Sequence, residues 1–286
     1  MTQHKRLPEW FRRSVSVYSA EKTHNILERH ELNTVCESAL CPNRNECYSH
    51  GTSTFMLLGN TCTRRCGFCA IPTGKPESVQ EDEPARVASA AREMNLEYVV
   101  LTSVARDDLK DEGATHFART VTALKEAIPG VQVEVLTPDF HAREELIQLI
   151  VTAHPTVYNH NLESVERFQK LIRPQASYQR SLEVLRTVKR LDASISTKSG
   201  LMLGLGETYQ EIITAGRDLV ATGCDILTLG QYLPPGKDFL PVQEYIHPDT
   251  FNQLAVELKE LGFREVFAGP NVRSSYHAGE TFLNSI

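Results

Sequence analysis

The stretch T-F-M-L-L-G-N-T-C-T-R-R-C-G-F-C-A-I-P, residues 54–72, opens as an apolar run and closes as a loop that places Cys62, Cys66 and Cys69 within eight positions. Residues 54–58 read as a short buried strand, apolar and bounded by Ser53 on one side and by Gly59 and Asn60 on the other. A reactive loop directly behind a strand is where parallel βα folds present their chemistry. Outward from this unit, apolar and β-branched runs at 98–102, 132–136, 156–159, 199–203, 226–230 and, weakly, 265–268 alternate with segments of helical period at 84–95, 114–127, 142–152, 163–171, 178–191, 207–222 and 248–261. Several of these helices begin after Asp, Glu or Pro, which suits helix N-termini. About six strands carry clear signals, so the expectation is an α/β fold: a partial (β/α)6-type TIM barrel over 53–268, open on one side to admit a large substrate. A doubly wound sheet is the alternative, and it too would gather ligands at strand carboxyl ends. Residues 1–52 form an N-terminal extension outside the barrel and 269–286 a C-terminal segment, with no repeat or long linker dividing the chain.

Composition bounds the function. At 286 residues and 41% hydrophobic, the chain can bury a sizeable core. A net charge of −6 argues against a phosphate-backbone partner, so no nucleic acid is expected. No apolar run approaches the roughly 20 residues that span a bilayer, so no membrane partner is expected either. The start, M-T-Q-H-K-R-L-P-E-W-F-R-R-S, is basic but has no apolar segment of a secretory signal, and Pro8 and Glu9 fit a transit peptide poorly. It reads as a solvated or docking arm, and a cytoplasmic protein with reduced thiols is expected.

Six of the seven cysteines fall into two triplets: Cys36, Cys41 and Cys47 (C-x4-C-x5-C), then Cys62, Cys66 and Cys69 (C-x3-C-x2-C). Neither resembles the paired knuckles of a structural zinc site. A 4Fe-4S cluster wants one thiolate per iron, so three cysteines leave one iron open to another ligand. A zinc loop or a set of buried thiols is the competing reading of the second triplet. Cys224, between a helix and an apolar strand, reads as a small buried hydrophobe.

With Phe68 before its last cysteine, the second triplet resembles the C-x3-C-x-aromatic-C loop of the radical S-adenosyl-L-methionine (SAM) enzymes. That resemblance implies a 4Fe-4S cluster whose open iron chelates SAM, and reductive cleavage of SAM to a deoxyadenosyl radical. The other chemically rich stretches also follow strand candidates and therefore converge on the same face. In G-L-M-L-G-L-G-E, Gly204 and Gly206 permit close backbone approach and Glu207 can open a helix; the stretch is similar to a SAM-contacting segment of that family, or is a plain turn. Asn159, Asn161 and Glu163 in Y-N-H-N-L-E suit ribose or methionine recognition, or helix capping, while His160 reads as structural. Arg106, Asp107 and Asp108 either position substrate or form an ion-pair network, with their loop position favouring the first.

C-E-S-A-L-C-P-N-R-N-E-C (36–47), V-A-R-D-D-L-K-D-E-G-A, T-K-S-G-L-M-L-G-L-G-E, L-T-L-G-Q-Y-L and the terminal V-R-S-S-Y-H-A together resemble the lipoyl synthase family, from about residue 9 to 279. The resemblance implies insertion of two sulfur atoms at C6 and C8 of an octanoyl chain on a lysine of a lipoyl carrier domain. It also implies a second, auxiliary 4Fe-4S cluster on the first triplet, serving as sulfur donor. Its fourth ligand is then Ser275, with Ser274 the alternative, and Arg273 and Tyr276 steady that loop. A hard alkoxide is a poor partner for a sulfide-bridged iron, so that corner should release readily. The implied partners are octanoylated carrier domains, such as the glycine cleavage H protein or the E2 subunits of 2-oxoacid dehydrogenases, together with an electron donor and a cluster-assembly or cluster-carrier protein. The arm residues Lys5, Arg6, Arg12 and Arg13 would steer an acidic partner.

Overall fold

The computed structural model describes residues 7–11, 20–49, 53–276 and 278–279. Lys5, Arg6, Arg12 and Arg13 lie outside the described residues. Among the described residues a 3-10 turn (Glu9–Phe11) and three α-helices precede the sheet: α1 (Ala20–Arg29), α2 (Val35–Ser38) and α3 (Arg44–Ser49). Then β1 (Thr54–Leu57), α4 (Glu83–Glu93), β2 (Tyr98–Ser103), α5 (Ala114–Ala127), β3 (Gln132–Leu136), α6 (Glu144–Thr152), β4 (Val157–Asn159), α7 (Gln169–Ile172), α8 (Tyr178–Leu191), β5 (Ser196–Leu203), α9 (Tyr209–Val220), β6 (Ile226–Gln231), α10 (Pro248–Glu260) and β7 (Glu265–Gly269) alternate along the chain.

All seven strands are parallel and lie in sequence order, β1 to β7, with every neighbour joined through a helical crossover. Among the described residues β1 and β7 do not pair, so the barrel is partial and unclosed, as expected. The weak candidate at 265–268 is a full edge strand whose Val266 and Ala268 face Leu227 and Leu229 of β6. Helices cover the outer face and produce two apolar clusters. One lies under α1, α4, α5 and α6 around Phe55, Leu101, Phe117 and Val133; the other lies under α8, α9 and α10 around Leu227, Leu229, Phe251 and Leu258. Cys224 is buried in the second, as the sequence predicts. No helix among the described residues is long and apolar enough to cross a membrane.

One local expectation needs correction. Residues 163–171 are not one helix. Glu163 has φ +70°, its N–H donates to the Gly200 carbonyl and its own carbonyl accepts from Met202, so a backbone committed to β5 cannot begin a helix. A 3-10 turn (Glu166–Phe168) and then α7 follow instead. Within the described part of the N-terminal extension, Thr34 caps α2 through its hydroxyl, which also meets Tyr48 Oη at 2.8 Å. The outer edge of β1 is thereby covered, with Met56 donating to the Asn33 carbonyl at 2.8 Å and Thr34 bridging Phe55.

The barrel interior holds a buried polar group of four strands. Glu134 of β3 accepts from Lys198 of β5 at 3.0 and 3.1 Å, from Tyr98 Oη of β2 at 2.8 Å and from Asn159 Nδ2 of β4 at 2.8 Å. A buried pair is tolerated when its remaining bonds are satisfied in this way.

Candidate active site

The chain leaves β1 through Leu58 and Gly59, at φ +68° and +92°, and turns sharply into the cysteine loop. Leu58 N–H is held by Glu83 Oε2 at 2.9 Å. Backbone bonds then shape the loop: Cys62 N–H to Pro72 O at 2.8 Å, Gly74 N–H to Cys62 O at 3.0 Å and Gly67 N–H to Ile172 O at 2.8 Å. Cys62 Sγ accepts amide N–H groups from Arg64 at 3.4 Å and Ala105 at 3.3 Å. Buried Arg64 anchors the loop to its neighbours: its Nε and Nη2 donate to Asp107 behind β2 at 2.6–3.0 Å, and Nη1 donates to Asp139 behind β3 at 2.7 Å. Burial, the largest single influence, would raise the Asp139 carboxyl, but the Arg64 charge and hydrogen bond, the neighbouring His160 and the His141 N–H together outweigh it and hold that group at about 2. Asp107 thus belongs to an ion-pair network, while Arg106 is taken up by Asp108 in the same loop at 2.9 Å.

Cys62, Cys66 and Cys69 line a cavity of about 220 Å³ at the carboxyl ends of β1 to β4, together with Phe68, Asn161, Glu163 and Arg173. Burial pushes the Cys66 thiol up to about 12 and Cys69 to about 11. Glu163 is also raised by burial, which the nearby Arg173 charge only partly offsets, and it accepts from Asn161 Nδ2 at 3.2 Å. Arg173 is itself held by Gln169, Ser181 and the carbonyls of Asn161 and Leu162. His160 sits between Thr137 O at 2.9 Å and Ser181 Oγ at 3.0 Å, in the structural role read from sequence.

The other candidates stand further back. Asn159 turns inward to Glu134 instead of toward the cavity. Gly204 and Gly206, at φ +102° and +104°, shape the exit from β5. The Glu207 carboxylate accepts the N–H groups of Gly204 and Leu205, so it closes its own loop, and Thr208 caps α9 in its place. That loop meets the cavity indirectly, because Leu205, Ile172 and Tyr232 form a small cluster against which Phe68 packs. Arg64, Asp139 and Arg173 are site residues that sequence reading did not single out; only the arginine pair inside the cysteine loop gave a signal.

A second cavity, of about 480 Å³, is lined by Cys36, Cys41 and Cys47 with Asn43, Arg273, Ser275 and Tyr276. Cys36 is pushed up to about 11 by burial. Two long-range bonds close the cavity: Asn43 Nδ2 to Asn271 O at 2.7 Å and Tyr276 Oη to Glu46 Oε1 at 2.7 Å. The C-terminal segment reaches it by crossing bare backbone, since a Cβ on Gly230 would lie 2.1 Å from the Val272 carbonyl oxygen. Ser274 does not line this cavity, and its Oγ donates to Asn161 Oδ1 at 2.8 Å.

No cysteine among the described residues is joined in a disulfide. Each cavity therefore presents three clustered soft donors, a set that fits iron–sulfur ligation with one corner left for another ligand. The Radical SAM superfamily model matches residues 56–219. The chain is 51% identical to Lipoyl synthase 2 of Gloeobacter violaceus, over 98% of this chain and 97% of that protein. It is 54% identical to the lipoyl synthase of Thermus thermophilus, over 89% of this chain and 79% of that one. Among solved structures, HydG, a maturase of the [FeFe]-hydrogenase, shares the fold with TM-score 0.56 at 13% identity, over 91% of this chain and 74% of that one. The radical SAM match implies a 4Fe-4S cluster and SAM, and the chain, a radical SAM, sulfur-inserting enzyme, belongs to the lipoyl synthase family.

Proposed function

We propose that this chain inserts two sulfur atoms at C6 and C8 of an octanoyl group amide-linked to a lysine of a lipoyl carrier domain. The observation that carries the reading is the pair of three-thiol cavities, one of them also lined by the Ser275 hydroxyl. Cys62, Cys66 and Cys69 would hold the cluster that binds SAM, and Cys36, Cys41 and Cys47 with Ser275 an auxiliary cluster. When bound, the first supplies a deoxyadenosyl radical with SAM, and the second supplies sulfide.

The residues then divide the remaining work. Arg64 fixes the cysteine loop against Asp107 and Asp139, so that three thiolates hold one geometry. Glu163 would offer its buried carboxyl to the amino end of SAM and Asn161 its amide to the carboxylate end, with Phe68 lining the same cavity. Asn159, Gly204, Gly206 and Glu207 act behind this set by shaping strand ends. Ser275 offers an oxygen where the cysteines offer sulfur, and a hard ligand on a soft site releases more readily. Arg273 and Tyr276 steady its loop. Abstraction from an unactivated C–H bond requires the reacting carbon to be held close and water kept out. The carrier domain, an electron donor and a cluster-carrier protein are the partners this chemistry needs.

The test uses protein loaded with iron and sulfide without air, then given SAM, a reductant and an octanoylated carrier peptide. The expected products are deoxyadenosine and the lipoyl peptide. Cys66→Ala should make neither, whereas Cys41→Ala should still release deoxyadenosine and insert no sulfur. Lipoyl product from both variants would overturn the assignment.

A further inference from the structure

We propose that Ser274 is a positioning residue that sets the register between the two cysteine cavities. Ser274 and Ser275 are adjacent, yet they serve different cavities. Ser275 lines the cavity of Cys36, Cys41 and Cys47, while Ser274 Oγ–H donates to Asn161 Oδ1 at 2.8 Å. Asn161 lines the cavity of Cys62, Cys66 and Cys69 and donates through Nδ2 to Glu163 Oε1 at 3.2 Å. With a donor on its oxygen and an acceptor on its nitrogen, the Asn161 amide is held in one orientation. Its backbone carbonyl is fixed as well, by Arg173 Nη1 at 3.1 Å.

A second observation shows that this contact is built into the strand beneath it. A Cβ on Gly200, in the middle of β5, would lie 2.8 Å from Ser274 Oγ, 2.8 Å from Thr228 Oγ1 and 2.9 Å from Asn161 Oδ1. Three oxygens converge over this one backbone position, and only a glycine leaves them room. The relay Ser274–Asn161–Glu163 therefore ties the C-terminal segment to the residues facing the other cavity. Any ligand that favours the tied arrangement of Asn161 and Glu163 must also favour the seated C-terminal segment, and the reverse follows by linkage.

The inference deepens the proposed function and rests on SAM occupying the cavity of Cys62, Cys66 and Cys69. The experiment measures iron and sulfide content, together with SAM affinity read from the change SAM causes in the electron paramagnetic resonance of the reduced enzyme. Ser274→Ala should keep the full iron and sulfide content and bind SAM about three- to tenfold more weakly, the effect of one hydrogen bond. Ser274→Thr, which keeps the hydroxyl, should recover most of that loss. Gly200→Ala, which drives a methyl into the contact, should weaken SAM binding as Ser274→Ala does. Wild-type affinity in Ser274→Ala would overturn the proposal, as would loss of half its iron, which would make Ser274 a part of the cluster site itself. Absence of any SAM effect in the wild-type enzyme would instead remove the function on which the proposal rests.

Discussion

Arg64 illustrates which site residues a sequence can reveal. The cysteines were legible because ligand spacing is local, and three sulfurs for one cluster must lie close along the chain. Arg64 lies inside the same loop, but its partners Asp107 and Asp139 stand 43 and 75 positions away, so only the fold joins them. Arg173 gave no local signal at all. His160 was legible in its role, and its burial has a measurable consequence. Burial, followed by the Arg173 charge, lowers its imidazole to about 4, against about 6.5 in an unfolded chain. Between those values the unfolded chain binds the extra proton, so stability falls as pH drops from about 6.5 toward about 4, by about 3 kcal/mol in total. The melting temperature followed by circular dichroism should therefore decline over that window in the wild type, and His160→Gln should decline less. Equal declines would contradict the buried, neutral state of this histidine.

At the scale of elements, β1, β2 and β6 are legible as buried, mainly apolar and β-branched runs, as parallel sheets require, whereas β3 and β5 carry Glu134 and Lys198 into the barrel interior. The weak one, β7, carries glutamate at its start and glycine at its end, and pairing with β6 supplies what its composition does not. Residues 163–171 were misread because a helical period says nothing about Glu163 bonding to β5 on both sides. The helices α2 and α3 leave no signal in the sequence because they are only 4 and 6 residues long, too short for a periodic pattern, while α1 buries only Thr23, Ile26 and Leu27. Gly230 gives the sharpest prediction for an element. A Cβ there meets the backbone of Val272, at 2.1 Å from its oxygen and 3.0 Å from its carbon, and backbone cannot rotate aside. Gly230→Ala should lift the C-terminal segment, carrying Ser275 away from Cys36, Cys41 and Cys47. On the proposed function its iron content should fall by about half while SAM cleavage persists. Full iron content in this variant would show that the segment does not complete the cluster site.

For the whole molecule, one unclosed barrel carries two separate cysteine-lined cavities. The strand carboxyl ends gather one cavity, as in other βα barrels. The other cavity is assembled by chain from both ends, with Asn43 reaching Asn271 and Glu46 reaching Tyr276 across about the full length of the sequence. The barrel was therefore predictable from strand and helix alternation, whereas the joining of residues 43–46 to 271–276 was not, since no local pattern records a contact over 228 positions. Whether the chain holds two clusters is read from the iron and acid-labile sulfide content of protein prepared without air. Two clusters require about eight of each per chain. A fully loaded sample that holds about four of each, or zinc in their place, would contradict the account.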